Sequence, residues 1–344
     1  MAELNVLDLK KIFIKPRISI GLDSGTSFVK LVKFSFKNNL LELCGFDNVP
    51  VRADPQETLK PIFHFFNDTK FVNLSLCGSS TTVRYVTLPK MTEDELRKSI
   101  KFEAQKYIPF PAQEVNLDAA ILKNDTANNN MFVAVAASKK DYTSQRVKLA
   151  TENNLIPSFM DHDALAVVNA FIFNEVKAEK SNLPKTVALL NIGASYSTLS
   201  ILEEGVPVLS RDISIAGNNF THRIAENLSL DFSSAEKIKV SPPDDKIEQI
   251  KLAVEPVLAS LATEIRVSFD YYESQSALNV EKIFLSGGTA LLEGLPQSLS
   301  GLLDIEISGW DPLKRILIAD GLDAKKLKSL SGQLAVAVGL ALRG

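Results

Sequence analysis

The chain has 344 residues, of which 45% are hydrophobic and 23% are charged, and its formal net charge is −3. This length exceeds the size at which a single hydrophobic core usually stops growing, so two or more lobes are expected. The near-neutral charge argues against nucleic-acid binding, and two distant cysteines, Cys44 and Cys77, argue against a disulfide framework or a zinc site.

The N-terminal segment 1–17 mixes apolar and basic side chains. We interpret it as an arm, which is either a solvated terminus or a surface that contacts a membrane or a partner protein. The sequence shows no apolar stretch of membrane-spanning length and no signal-peptide pattern.

Two predicted β-hairpins carry the same kind of turn. Ile18–Leu22 and Phe28–Phe36 are predicted strands, and the polar turn Asp23-Ser24-Gly25-Thr26-Ser27 joins them. The same pattern recurs in the second half of the chain, where the turn Asn191-Ile192-Gly193-Ala194-Ser195 lies between two apolar runs. This internal repeat predicts two related lobes that face a shared cleft.

The segment between the hairpins predicts an inserted α/β subdomain at 83–157. Thr92 and Glu95 form a capping box that begins one helix, and Pro109 ends the helical pattern. The other predicted elements of the insertion are the strands Val83–Leu88, Asn116–Leu122 and Met131–Ala137 and the helix Lys139–Asn153.

The second half of the chain predicts mainly helices around the short strand Ile283–Leu285. The longest helix spans Ile247–Tyr272, and Pro256 is expected to kink it or to begin a new segment. The shorter predicted helices are Asn219–Leu228, Ser233–Val240 and Gln333–Leu342.

Three glycine-containing turns each follow a predicted strand, at Asp23–Ser27, Asn191–Ser195 and Ser286–Thr289. Such turns expose backbone N–H groups, and glycine lets the backbone approach an anion closely. Three of them in this order favour a phosphate-binding cleft over three unrelated turns. The chain contains neither a P-loop nor a dinucleotide-binding glycine motif.

The three turns resemble the two phosphate motifs and the adenosine motif of the actin, Hsp70 and sugar-kinase superfamily. Four stretches are similar to the PilM family of type IV pilus assembly proteins: IGLDSGTSFVKLVKF, FEAQKYIPFPAQEVNLDAAIL, NIGASYSTLSILEEGVPVLSRDISIAGNNFT and IFLSGGTALLEGLPQSL. The resemblance extends from about Ile18 to Leu342, and the YIPFP segment at Tyr107–Pro111 is especially specific to this family and its relatives.

The resemblance implies an α/β, actin-like fold of two lobes, with duplicated subdomains and an inserted 1C-type subdomain like that of FtsA. In these terms 18–82 and 158–185 form the first lobe (subdomain 1A), and 83–157 form subdomain 1C. Residues 186–344 form the second lobe (subdomains 2A and 2B).

The resemblance also implies that the cleft binds ATP with magnesium, with Asp23 holding a water of the metal ion. Two of the implied residues have an alternative interpretation. Lys30 is equally a solvated strand lysine, and Glu236 equally belongs to a capping box with Ser233. The implied cofactor-binding residues are Asp23, Gly25, Thr26, Ser27, Lys30, Asn191, Gly193, Ala194, Ser195, Glu236, Lys239, Gly287, Gly288 and Thr289.

One departure from the family pattern concerns hydrolysis. Relatives begin the second phosphate turn with Asp, whereas this chain has Asn191, which lacks the charge that supports a divalent cation. ATP hydrolysis is therefore expected to be slow or absent, and no catalytic residue is assigned. Asp161 and Asp163 are the nearest candidates to position a water, although a helix N-cap is the plainer interpretation of Asp161.

The implied function is an ATP-binding scaffold of the type IV pilus assembly platform, cytoplasmic and peripheral to the inner membrane, in twitching motility. The expected partner is the N-terminal cytoplasmic tail of PilN in a groove between 1A and 1C, with other platform proteins and self-association as further contacts. Tyr107, Ile108 and Phe110 either line this groove or belong to the core. The alternatives are an FtsA-like or GspL-like platform protein and a small-molecule kinase of the same superfamily.

Overall fold

The computed structural model describes residues 18–37, 40–125, 128–177 and 183–343, and the predicted N-terminal arm at 1–17 lies outside the described residues. In chain order, the strands are β1 Ile18–Ser24, β2 Phe28–Lys37, β3 Leu40–Pro50, β4 Phe71–Leu76, β5 Thr81–Pro89, β6 Val115–Asp125, β7 Asn130–Lys139, β8 Ile156–His162, β9 Thr186–Ile192, β10 Ser197–Glu203, β11 Val206–Ile213, β12 Lys282–Ser286, β13 Glu306–Gly309 and β14 Leu317–Ile318. The α-helices are α1 Pro55–Leu59, α2 Glu93–Glu103, α3 Lys140–Glu152, α4 Asp163–Phe171, α5 Gly217–Leu228, α6 Phe232–Val240, α7 Ile247–Ser276, α8 Leu295–Leu303, α9 Ala324–Leu330 and α10 Ala335–Ala341.

The two predicted hairpins are confirmed, and each is part of a larger sheet. β1 pairs antiparallel with β2, and β9 pairs antiparallel with β10. The first sheet has the strand order β14-β3-β2-β1-β4-β8, and the second has the order β11-β10-β9-β12-β13. In both sheets a third antiparallel strand extends the hairpin on one side and a parallel strand extends it on the other. The repeat in the sequence therefore corresponds to two similarly built sheets.

The segment between β4 and β8 forms a third sheet in the order β5-β7-β6, together with α2 and α3. The predicted capping box of α2 is confirmed. The Thr92 hydroxyl accepts the Glu95 N–H at 3.3 Å, and the Glu95 carboxylate accepts the Thr92 N–H at 2.8 Å. Leu96 and Ile100 of α2 are buried in one cluster with Met131 of β7, so the insertion has a hydrophobic core of its own.

Two apolar helices, α4 and α10, lie in the core that joins the first two sheets. A Cβ atom at Gly339 of α10 would overlap the Ala166 backbone of α4, and a Cβ atom at Gly21 of β1 would overlap the Ala337 carbonyl oxygen. The helix therefore contacts both neighbours at backbone distance. The chain after β13, the last strand of the second sheet, thus packs on the first sheet again. β14 likewise pairs with β3 of the first sheet.

The structure contradicts one of the two alternatives predicted for Pro256 in the longest helix, the start of a new segment. α7 continues without a break from Ile247 to Ser276, so no new segment begins at the proline. Pro256 and Leu252 are both exposed. The Leu252 carbonyl, which lacks an N–H partner because residue 256 is proline, can therefore accept a hydrogen bond from water.

We expect Gly339→Ala to lower the free energy of unfolding by roughly 3 kcal/mol, because the added methyl group overlaps the Ala166 backbone and forces α4 and α10 apart. Chemical denaturation followed by circular dichroism measures this change. Gly301→Ala in α8 is the matched control, because a Cβ atom there has no neighbour within 4 Å, and it should be neutral or slightly stabilising. Equal stability of the two variants would contradict the close packing.

Candidate functional site

A cleft of about 270 Å³ lies where the turns after β1, β9 and β12 converge. Every residue that the family resemblance implies as cofactor-binding lines this cleft. These residues are Asp23, Gly25, Thr26, Ser27, Lys30, Asn191, Gly193, Ala194, Ser195, Glu236, Lys239, Gly287, Gly288 and Thr289. The fold thus brings together four segments that are far apart in the sequence.

The first turn places a buried ion pair at the cleft. Asp23 at the end of β1 lies opposite Lys30 on β2, and its Oδ2 accepts a hydrogen bond from the Lys30 ammonium at 2.7 Å. Burial acts to lower the pKa of Lys30, but the charge and the hydrogen bond of Asp23 outweigh burial, so the pKa is raised. Lys30 is therefore a charged group of the cleft, and the alternative of a solvated strand lysine is wrong.

The first and second turns need glycine for the same steric reason. A Cβ atom at Gly25 would lie 2.8 Å from the Phe28 carbonyl oxygen, and one at Gly193 would lie 2.8 Å from the Tyr196 carbonyl oxygen. The Gly193 N–H donates to that Tyr196 carbonyl at 3.1 Å and closes the second turn. The Gly193 carbonyl accepts the N–H of Gly217 at 2.9 Å, which fixes the turn to the start of α5.

The third turn, after β12, docks onto the second. Gly287 has a φ of +93°, and a Cβ atom there would overlap the Ile192 backbone, so no other residue fits. Thr289 donates its hydroxyl hydrogen to a carbonyl of the second turn at 3.0 Å. The Ser286 hydroxyl donates to the Asn191 Oδ1 at 3.2 Å. Asn191 thus ties two turns together through an acceptor oxygen, a role that requires no charge.

Glu236 and Lys239 lie on α6, where their contacts differ from those predicted. Asp231 caps the helix by accepting a first-turn N–H at 3.0 Å, so the predicted capping box of Ser233 and Glu236 is wrong. The Glu236 carboxylate instead accepts hydrogen bonds from the Lys239 ammonium at 2.7 Å and from the Thr221 hydroxyl. These contacts fix the carboxylate at the cleft wall.

Lys239 is buried, and its ammonium group has an acceptor for each of its three protons. These acceptors are the Glu236 carboxylate at 2.7 Å, the Thr221 hydroxyl at 2.8 Å and the Gly217 carbonyl at 3.2 Å. Burial lowers the pKa of Lys239. Lys239 therefore connects α5 with α6 and orients Glu236, which is the polar group that α6 presents to the cleft.

The two candidate carboxylates before α4 have different surroundings. Asp161 on β8 pairs with the Arg343 Nε at 2.7 Å and does not line the cleft, whereas Asp163 does. His162 caps α4 by accepting the Ala164 N–H at 3.1 Å, so the predicted N-cap role of Asp161 is wrong. β8 ends at His162, and α4 begins at Asp163. Because the backbone changes from strand to helix at this point, Asp163 faces the cleft and does not share the face of β8 that carries Asp161.

Asp163 is a buried carboxylate with an unused oxygen. It is 9% exposed, and its Oδ1 has no hydrogen-bond partner within the part of the chain that the structure describes. Burial, and next the charge of Asp23, raise the pKa of Asp163 to about 7. The cleft therefore presents two carboxylates and the ammonium group of Lys30, an arrangement that suits a hydrated cation next to an anion.

The cleft also contains residues that the sequence did not predict. Some, such as Phe28, Tyr196 and Val240, directly follow a predicted motif, whereas Asn48, Cys77, Gln333 and Val336 come from segments with no ligand-binding pattern. Asn48 of β3 donates to the Gln333 side chain at 3.2 Å across the cleft wall. The charge of Asp163 and burial raise the pKa of the Cys77 thiol, which therefore stays protonated at neutral pH. The missed lining residues are Phe28, Asn48, Cys77, Tyr196, Thr198, Val240, Leu291, Leu292, Gln333 and Val336.

Comparisons with known proteins agree with this architecture. A family model described as "Type IV pilus assembly protein PilM" matches residues 21–344. The solved "PilM-PilN type IV pilus biogenesis complex" is similar, with a TM-score of 0.83 and 27% sequence identity, over 95% of this chain and 99% of that chain. The ethanolamine utilization protein EutJ from Carboxydothermus hydrogenoformans has a TM-score of 0.54 and 15% identity, over 96% of this chain and 91% of that one. The predicted actin-like fold is confirmed.

Two aspartate variants should change stability in opposite directions. At pH 7 in nucleotide-free protein, Asp163→Asn should raise the free energy of unfolding by roughly 1–3 kcal/mol, because it removes a buried charge with an unused oxygen. Asp161→Asn should lower it, because it leaves Arg343 without its carboxylate. Urea denaturation of both variants measures the effect, and a loss of stability in Asp163→Asn would show that this carboxylate has a stabilising partner.

Proposed function

Because the chain belongs to the PilM family of type IV pilus assembly proteins, we propose that it is an ATP-binding scaffold of the type IV pilus assembly platform. The observation that carries the proposal is the cleft, in which three glycine turns converge beside a buried ion pair. Cys77 and Lys239 are poor nucleophiles, because the Cys77 pKa is raised and the protons of the Lys239 ammonium are all used in hydrogen bonds. This favours binding over covalent chemistry.

The proposed nucleotide lies with its phosphates between the first and second turns. The backbone N–H groups of Gly25 in the first turn and of Ala194 in the second, and the Lys30 ammonium, would meet the phosphate oxygens as charge-assisted hydrogen bonds. The base and ribose lie toward Glu236 in the proposal, and the exposed apolar side chains of Val240 and Leu291, which also line the cleft, are available to contact them. This orientation uses every segment of the cleft.

The cleft residues also fit a magnesium ion bound through water. Within the described residues, no group of three or more His, Cys, Asp or Glu side chains could ligate a metal directly. Magnesium usually keeps several waters and takes further ligands from phosphate, so one or two carboxylates suffice. Asp23 and the unused Oδ1 of Asp163 would accept hydrogen bonds from those waters, and the ion would neutralise phosphate charge.

Slow or absent hydrolysis is part of the proposal, for a reason found at Asn191. This side chain supplies no charge, and its oxygen is already bonded to Ser286. Asp163 supplies a second negative charge beside that of Asp23. This charge supports metal binding, but it comes from a different segment than the Asp that relatives have in place of Asn191. Phosphate release well above background by the purified protein would contradict this part of the proposal.

The proposed partner is the N-terminal cytoplasmic tail of PilN, since the similar solved structure is a PilM-PilN complex. β8 is the edge strand of the first sheet, and it contacts β5 of the inserted sheet. Ile156 and Phe159 on β8 are exposed by 49% and 53%. Among the described residues no further strand pairs with this edge of β8, and a strand edge with apolar side chains suits an extended peptide. We therefore assign the tail to the groove between β8 and the inserted sheet.

The groove residues suggested by the sequence divide into two kinds. Ile108 is 7% exposed and belongs to the core of the insertion, so it does not line a groove. Tyr107 and Phe110 are half-buried and pack against that core. They form part of the groove wall in the proposal, but truncating them would also disturb the core.

The proposal places the protein on the cytoplasmic side of the inner membrane, peripheral to it, with other platform proteins and self-association as further contacts. Family membership supports this placement. Across the described ranges, we find no helix with the length and apolar character of a membrane span.

ATP with magnesium should stabilise nucleotide-free protein, by about 2.7 kcal/mol at a ligand concentration of 100 Kd. Gly25→Val and Gly193→Val should abolish the thermal shift, because their side chains meet carbonyl oxygens at the phosphate turns. Gly309→Val in β13 is the matched control, because a Cβ atom there has open space. A wild-type protein that shows no shift would refute the cleft assignment.

Phe159→Ala should weaken binding of a fluorescent peptide with the PilN tail sequence by roughly 5- to 30-fold, because it removes an exposed apolar contact at the strand edge. Fluorescence anisotropy measures the Kd. Tyr271→Ala on α7 removes another aromatic side chain, 63% exposed, from the second half of the chain, and should leave the Kd unchanged. Equal affinities of both variants would place the tail elsewhere.

A further inference from the structure

Two hydrogen bonds connect β11 of the second sheet to β5 of the inserted sheet and to the turn between β4 and β5. The Gly78 N–H, just before β5, donates to the Asp212 Oδ2 at 3.0 Å. The Tyr85 hydroxyl on β5 and the Ser210 hydroxyl are hydrogen-bonded at 2.9 Å. Ser210 and Asp212 are two residues apart on one strand and therefore share a face. The turn before β5 and β5 itself are thus each hydrogen-bonded to β11 of the second sheet.

These contacts are polar and shielded from solvent, so breaking them is costly. Ser210 is buried, and the Asp212 side chain is 18% exposed. The Asp212 Oδ2 also lies 3.6 Å from the His162 Nε2, and Ser210 also bonds Ser200 within the second sheet. A buried hydrogen-bonding group that loses its partner costs more than the bond itself contributes. These bonds should therefore hold the β5 edge of the inserted sheet to β11 when the two lobes move, while α3 keeps the insertion packed on the first sheet through Ala150.

β11 and Gly78, which make these contacts, also lie next to residues that line the cleft. Thr198, which lines the cleft, is paired in register with Asp212 on one side and with Asn191 of the second turn on the other. Tyr196 of that turn packs on Gly78, where a Cβ atom would lie 3.0 Å from its ring. A ligand that moves the second turn therefore displaces the residues that hold the inserted sheet.

We propose that these contacts couple the nucleotide cleft to the groove between β8 and the inserted sheet. β8 belongs to the first sheet, whereas β5 is attached to the second through Gly78 and Tyr85. A change in the angle between the lobes therefore changes the width of the groove. Coupling of this kind is reciprocal, so the peptide changes nucleotide affinity by the same factor. The inference rests on the proposed function, because it needs both ligands.

The test measures the Kd of the PilN tail peptide by anisotropy, without nucleotide and with a saturating non-hydrolysable ATP analogue and magnesium. In the wild type the two values should differ by about 5-fold or more. Tyr85→Phe is the cleaner change, because it removes one bond and leaves Ser210 bonded to Ser200. Asp212→Ala removes the other bond together with the Asp212 contact to His162 of β8. Each variant should bring the ratio of the two Kd values toward 1, by about 2- to 5-fold.

Tyr272→Phe is the matched control, because it removes a hydroxyl that bonds Glu203 within the second lobe. It should keep the wild-type ratio, and all variants should keep their Kd for the nucleotide alone within about 2-fold. An unchanged ratio in both Tyr85→Phe and Asp212→Ala overturns the inference. Equal peptide Kd values with and without nucleotide in the wild type also overturn it, while the proposed function stands. Absence of peptide or nucleotide binding in the wild type refutes the proposed function and this inference with it.

Discussion

The close contact of α10 with α4 and β1 is the constraint on which the rest of the structure depends. Gly339 and Gly21 allow the helix to approach both neighbours at backbone distance. The core around these helices also includes residues of the second sheet, so the contact sets the spacing between the two sheets. The three glycine turns belong to different strands, and they reach a common cleft only at that spacing.

The cleft combines one neutralised and one unpaired carboxylate. The Lys30 ammonium compensates Asp23, and the hydrogen bond is short because the two residues lie opposite each other on β1 and β2. Asp163 has no such partner for its Oδ1 among the described residues, and this raises the free-energy cost of its buried charge. A bound hydrated cation would remove that cost, so the charge distribution favours ligand binding at the expense of stability.

The proposed scaffold joins two binding sites through one structural element. β11 supports the second phosphate turn through β10 and contacts the inserted subdomain through Ser210 and Asp212. The inserted sheet and α2 have a core of their own, whereas Ala150 of α3 is buried in the core of the first sheet. A protein built in this way can report the state of its nucleotide to a partner without hydrolysing it, because binding free energy alone shifts the equilibrium between two arrangements.

The sequence by itself determined the local elements and most of the cleft. The glycine hairpins and the Thr92–Glu95 cap depend on residues a few positions apart, and the repeat together with the family resemblance identified residues that line one cavity. Only the tertiary structure decided that Asp163 rather than Asp161 faces the cleft, and that every proton of Lys239 is used. The partners that decide these roles, Arg343 for Asp161 and Gly217 for Lys239, are distant in sequence and come near only when the helices and sheets pack.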